Sequence, residues 1–240
     1  MDMTQISPDE VIFWQWRFVS LNATILWTWL VIAFMAISAW AITRNLSSGP
    51  SMSRWQNLLE VIVGYARDQT RQIMRESPEP YLPFLGGLFL FIAVSNALMI
   101  VPGYVPPTAS LSTAAALAIC VFVAVPIYGI LEQGVGGFLR HYIEPTVIML
   151  PFNLIGELSR TLALAVRLFG NVMSATKIVA ILAAVVPLFF PIVMQALGLL
   201  TGLIHAYIFA VLAAVYIASG SEVSSQSNRA GGESDPSHST

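Results

Sequence analysis

Residues 151–179 read as a membrane helix, yet they carry Glu157, Arg160, Arg167 and Lys177. Arginine stays protonated inside proteins. Holding one in hydrocarbon costs several kcal/mol or more unless water or a partner compensates, so such a residue marks a functional site by default. At about 100° per residue, Arg160 and Ser174 fall about 20° from Arg167 on either side, and Asn171 about 40° away. One helix face therefore carries Arg160, Arg167, Asn171 and Ser174, opposite a face of Leu, Ala, Val and Phe. The small residues Ala163, Ala165 and Gly170 allow another helix to approach closely. Further along, His205 leads a second stripe, with Gly198 and Tyr216 within about 20° of it and Thr201 about 40° away. His205 reads either as a group bonding toward the Arg167 helix or a water path, or as a histidine satisfied by a neighbouring carbonyl. Snorkelling to the headgroups is the competing reading for Arg160 and Lys177.

A fixed cation in a membrane does not donate its proton. It attracts a carboxylate, disfavours that carboxylate's protonated form, and repels a cation leaking straight through. This suits a station that a carboxylate passes only after releasing an ion. Glu157 lies ten positions from Arg167 and about 80° around the helix, so the matching carboxylate is expected on another subunit.

The elements that must position these groups are spans. Hydrophobic residues make up 56% of the 240-residue chain and charged residues 10%, against about a quarter charged in soluble domains. The fold class expected is all-α, a polytopic membrane protein of about five crossings. Residues 19–43 form an uncharged span with Trp27, Trp29 and Trp40, long enough at roughly 20 residues per crossing. Residues 52–76 form an amphipathic helix, with Trp55, Leu58, Leu59, Ile62, Ala66 and Ile73 on one side and Arg54, Glu60, Arg67, Asp68, Arg71 and Arg75 on the other. Pro78, Pro80 and Pro83 stop it. Spans at 83–101 and 112–131 follow, separated by a turn at Pro102, Gly103, Pro106 and Pro107 and followed by a connection holding Glu132, Arg140, His141 and Glu144. Residues 146–190 are helix-compatible throughout. Forty-five residues of helix are about 68 Å long against a hydrocarbon core of about 30 Å, so this segment must bend, tilt strongly or double back, with Pro151, Gly156, Gly170 and Pro187 as candidate bends. A last span at 191–218 precedes a Ser/Gly-rich tail, 219–240, expected to be disordered; residues 1–18 form an N-terminal segment.

The acidic start, with Asp2, Asp9 and Glu10 and no base, does not resemble a secretory signal, so the first apolar run reads as a retained span. Cys120 has no partner for a disulfide and reads as small core filler. Net charge of −2 gives no field for nucleic acid, and no metal-ligand or phosphate-loop motif occurs. Basic residues crowd the connection after the first span and are missing between the second and third. The positive-inside rule then puts the N-terminus outside and the C-terminus in the cytoplasm.

The run Arg167-Leu168-Phe169-Gly170-Asn171 matches the RLFGN signature of the subunit a family of F-type ATP synthases, and the chain resembles that family over nearly its whole length. PFNLI at 151–155, ELSR at 157–160 and HAYIF at 205–209 support the resemblance. It implies a non-catalytic, ion-translocating stator subunit in a bacterial inner membrane, with no cofactor. Its implied partners are a c-subunit ring bearing essential carboxylates, the subunit b peripheral stalk, the catalytic head indirectly, and lipid. It implies that the overlong segment corresponds to the family's pair of strongly tilted helices, which curve along the c-ring. The family's essential arginine falls on Arg167, its asparagine on Asn171, and the polar position of its last helix on His205. Two half-channels and the arginine station couple proton flow, or sodium flow in some members, to ring rotation and ATP synthesis or hydrolysis. Polarity and depth nominate Ser95, Asn96, Ser112, Thr113, Glu157, Ser159, Asn171, Ser174, Thr201 and His205 as channel-lining groups, with Arg160 beside them. The chain departs from the family where His205 replaces a usual Gln, Thr176 a frequent Glu or His, and Thr161 a frequent Pro. The rival classes are a secondary transporter binding an anion at Arg167, which predicts internal repeats that the sequence lacks, and a membrane scaffold, which predicts that Arg167→Leu is harmless.

Overall fold

The computed structural model describes residues 12–16, 19–44, 54–74, 79–101, 104–143, 149–186 and 190–221. Arg75, Pro78, Pro102, Gly103, Glu144, Thr146, Pro187 and the tail beyond 221 lie outside the described residues. The fold is all-α, and the described residues hold five helices long and apolar enough to cross a membrane, preceded by a small hairpin.

That hairpin pairs β1 (Ile12–Trp16) with β2 (Val19–Asn22), antiparallel and irregular between Ile12 and Trp14. It corrects the expected helix start at 19. Ile, Phe, Trp and Val favour strands, and helix α1 (Ala23–Thr43) begins only after Asn22, whose backbone is extended. At its other end Arg44 donates its backbone N–H to Trp40 O, and its guanidinium lies 5.0 Å from the Trp40 ring centroid. The amphipathic α2 (Arg54–Met74) packs on α3 (Leu82–Ala97) and α6 (Phe190–Ser221). Pro83 sits in the first turn of α3, where its missing N–H costs nothing.

Helix α4 (Leu111–Ile143) differs from expectation. The supposed connection after residue 131 stays helical to Ile143, interrupted at Gly134, whose φ of 73° is one that residues with a Cβ rarely adopt. Cys120 is exposed on α4 instead of filling the core. Helix α5 (Met149–Val185) is one helix of 37 residues, about 56 Å long. It runs through Gly156 and Gly170 without doubling back. Helix α6 extends to Ser221, three residues beyond the expected end.

The core lies among α3, α4, α5 and α6, where Ile92, Ala114, Leu164, Leu168, Ala206 and Ile217 are essentially buried. Small residues set the spacing. A Cβ on Gly198 would meet Ala175 Cβ at 3.7 Å, and one on Gly202 would come within 3.0 Å of the Asn96 side chain. Both α5 and α6 therefore sit close to their neighbours, as small residues permit in membrane bundles.

Candidate functional site

Periodicity along α5 decides which of its residues the chain covers. Leu164, Ala165, Leu168 and Val172 turn into the bundle, whereas Arg160, Ala163, Arg167, Ser174 and Ile178 are exposed and Asn171 is half-buried. Ala165, one of the small residues expected to let another helix approach closely, is packed inside the bundle. Gly170 does leave room, since a Cβ there would meet nothing within 4 Å. Among the described residues no helix buries Arg160, Arg167 or Ser174, although the first two border clefts shared with α6.

Arg167 and His205 come together across α5 and α6. They share a small cleft of about 10 Å³ with Leu164, Leu168, Ile208 and Phe209. His205 Nδ1 lies 3.0 Å from the Thr201 carbonyl oxygen. A carbonyl oxygen accepts only, so Nδ1 carries the proton and donates. The ring is oriented by its own helix and Nε2 remains for another partner. Thr201 in turn donates to Leu197 O. Among the described residues no acidic group pairs with Arg167; the ion pair there is Arg67–Glu79, far along the chain.

A larger cleft of about 260 Å³ opens between α4, α5 and the end of α6. Asn153, Glu157, Arg160, Thr161, Tyr216 and Ser219 give it polar walls, and Val121 and Val125 an apolar back. Arg160 Cζ lies 5.9 Å from the Tyr216 ring centroid, near enough for cation–π attraction. Glu157 is half-buried here. Ser159 points elsewhere: it is exposed, and its hydroxyl donates to Ile155 O at 2.7 Å. Thr176 likewise donates to Val172 O at 2.9 Å, and Lys177 is half-buried.

The opposite end of the bundle is also polar. Asn96 is fully buried, donates Nδ2–H to Gly202 O at 3.0 Å and accepts from Thr108 Oγ1 at 3.1 Å. This ties α3 to α6 and to the turn Pro107–Ala109. The Ser110 and Ser112 hydroxyls are 2.6 Å apart. Thr113 is half-buried in the next turn. Gln195 donates to Met99 O. Asn22 Oδ1 is buried without a hydrogen-bond partner, a cost of about 1–3 kcal/mol unless water reaches it, and Ser95 Oγ and Tyr104 Oη are buried near each other without a well-formed bond. Burial pushes the Tyr104 hydroxyl above its ordinary value, partly offset by the neighbouring Ser95. Tyr104, Asn22, Gln195 and Asn153 were missed by sequence reasoning. Gln195 and Asn153 were findable as polar residues in apolar helix; Asn22 and Tyr104, in extended chain and a turn, gave no such signal.

The structure thus brings Arg167 to His205, and Arg160 to Glu157 and Tyr216. It keeps Asn96 in a separate cluster with Gly202 and Thr108. Along α6, about 1.5 Å per residue puts Gln195 roughly 15 Å from His205 one way and Tyr216 roughly 16 Å the other way.

Residues 25–218 match the family model described as ATP synthase A chain. The chain is similar to ATP synthase subunit a 2 of Acaryochloris marina, 59% identical over 91% of this chain and 93% of that one. It is similar to ATP synthase subunit a 1 of Crocosphaera subtropica, 57% identical over 90% and 94%. It is 58% identical to ATP synthase subunit a of Albidiferax ferrireducens over 89% and 93%.

Proposed function

Because this chain belongs to the ATP synthase A chain family, we propose that Arg167 is the fixed charge past which a ring of carboxylate-bearing subunits turns. The family's role is non-catalytic ion translocation in the F-type ATP synthase, and the chain is a multi-pass membrane protein. The observation that carries the finer reading is the exposed Arg167 face of α5, with His205 beside it and no acidic partner among the described residues. A charge left on an exposed membrane face needs a partner from outside the chain.

The basic residues around α2 put that end of the bundle on the cytoplasmic side. The N-terminus then lies outside and the end of α6 inside, in the inner membrane of a bacterium. On that orientation the cleft at Glu157, Arg160 and Tyr216 is the inner half-channel, and the Ser95, Tyr104 and Gln195 end leads to the outer one. The Arg167–His205 pair lies between them, so neither path runs straight through. During synthesis a proton enters from outside and neutralises a ring carboxylate, which can then cross lipid cheaply. After almost a full turn it meets the polar face of α5 and releases its proton inward. The ionised carboxylate is drawn past Arg167, which disfavours its reprotonation. Asn171, Ser174 and Thr201 supply polar contacts near the station. ATP hydrolysis runs the cycle backwards. The peripheral stalk holds the chain still against the catalytic head while the ring turns.

The test is ATP-driven ion uptake by the purified complex in vesicles, with and without sodium. Arg167→Ala is expected to abolish coupled uptake in an assembled complex. Full coupled pumping by that variant would reject the station, and pumping that needs sodium would replace the proton.

A further inference from the structure

A second depression is unlike the clefts above. It runs between α2, α3 and α6, holds about 500 Å³, and is lined by groups such as Ile62, Ala66, Leu85, Phe89, Ala93 and Val211. Three of its four polar side chains, all but Tyr65, are engaged in two bonds within the chain. Tyr207 donates to Gln69 Oε1 at 2.9 Å, and Thr70 donates to the carbonyl of Ala66 at 2.8 Å. A polar ligand would find little to bond to.

Size selects among apolar occupants. A helix about 10 Å across with a 5.4 Å pitch fills roughly 400 Å³ per turn, so the groove takes little more than one turn of a partner helix. A methylene needs about as much room as a water, roughly 30 Å³, so the groove takes on the order of 15 carbons. Its α3 wall runs from Leu82 to Ala93, about 17 Å of helix, close to the depth of one leaflet. At the Leu82 end, Arg67 pairs with Glu79, and Arg71 acts on the same carboxylate. With Asp68 beside Arg67 on α2, the junction carries two guanidinium groups and two carboxylates; Arg67 is taken up by Glu79, and Arg71 forms no ion pair among the described residues, which leaves its guanidinium for a phosphate.

We infer that this groove is a binding site for one acyl chain of an anionic phospholipid, with its headgroup at the Arg67–Arg71–Glu79 corner. The lipid would fill the gap beneath the amphipathic helix and complete the packing of α2 on α3 and α6. Nothing in this depends on how Arg167 works.

Gly86 provides the test, because it lines the groove and a Cβ there would meet nothing within 4 Å. The intact complex is reconstituted in vesicles carrying phosphatidylglycerol or phosphatidylcholine with a photoactivatable group in the acyl chain. Labelled peptides are then mapped by mass spectrometry. The phosphatidylglycerol probe should label Phe89 and Val211 more strongly than the phosphatidylcholine probe. The outward side of α1 at Trp29 and Ile32 should take both equally. Gly86→Phe, and separately Ala210→Leu, should bring groove labelling down to background while the α1 signal and ATP-driven pumping persist. Arg71→Gln should erase the preference for the anionic probe. Groove labelling no stronger than at α1, labelling that survives both filling variants, or cross-links from the groove to another polypeptide would each overturn the assignment.

Discussion

Asn96 and Arg167 are both costly side chains in the membrane domain, and they are used in opposite ways. Asn96 is fully buried and bonded at both ends of its amide, to Gly202 and Thr108. Arg167 is exposed on α5 and has no acidic partner among the described residues. A polar group that makes its bonds inside the chain holds helices together. One that leaves its charge on an open face, with no acidic partner among the described residues, is what the proposed station requires. Position in an apolar helix looks the same for both, so bonding is what separates structure from function here.

The largest effect that would sharpen the contrast is a difference in kind. Arg167→Ala should remove coupled pumping and leave the thermal unfolding midpoint of the detergent-solubilised chain nearly unchanged, because the guanidinium makes no ion pair among the described residues. A large drop in that midpoint would break the comparison. Asn96→Ala should do the reverse. It strands the Thr108 hydroxyl in a buried site, a cost of about 1–3 kcal/mol, read as a lower midpoint with pumping retained in the surviving complex. Gly202→Ala drives a Cβ to 3.0 Å from the Asn96 side chain, an overpacking cost of about 1–3 kcal/mol. Combined with Asn96→Ala it should cost less than the sum, because two of the three crowded atoms have gone. Strict additivity would mean that the two residues do not meet.

A smaller effect belongs to His205, which lies between the two cases. Its Nδ1–H is used on Thr201 O while Nε2 is left over. His205→Gln keeps a donor for that carbonyl, so pumping should persist, whereas His205→Ala removes both the donor and the leftover nitrogen and should slow it. An unchanged rate in His205→Ala would take His205 off the ion path.

What could be read in advance follows the same division. The Arg160–Arg167–Ser174 face was legible because helical period and the cost of charge in lipid are both local to one segment. That the segment holding α5 is too long for one upright crossing was legible from rise per residue. The Asn96 bond was not, because its partner stands 106 residues away and an isolated asparagine in a span reads equally well as a channel wall. The stretch beyond Leu131 read as a connection because Gly134, Gly136 and Gly137 signal a turn. The chain instead concentrates the break at Gly134 and stays helical on both sides. The strand at Val19–Asn22 merged with the apolar run behind it, since four residues are too few to show a period of two.

The Arg67–Glu79 pair supplies the smallest effect and separates bonding from burial. It is bonded like Asn96, yet both side chains are about half exposed, at 52% and 51%. Its hydrogen bond to Arg67, first, and then one to its own backbone hold the Glu79 carboxyl below the ordinary 4.5. A carboxylate lowered in this way stabilises the fold above its unfolded value and loses that contribution as pH falls through the folded one. Solvent and salt screen such an exposed pair. Glu79→Gln should therefore shift the unfolding midpoint only slightly at neutral pH. The shift should shrink in high salt and vanish once the pH is well below 4.5. A shift as large as that of Asn96→Ala, or one that persists in acid, would show that a bond in this chain stabilises whether or not it is buried. The contrast between Asn96 and Arg167 would then rest on bonding alone, with depth in the membrane contributing nothing.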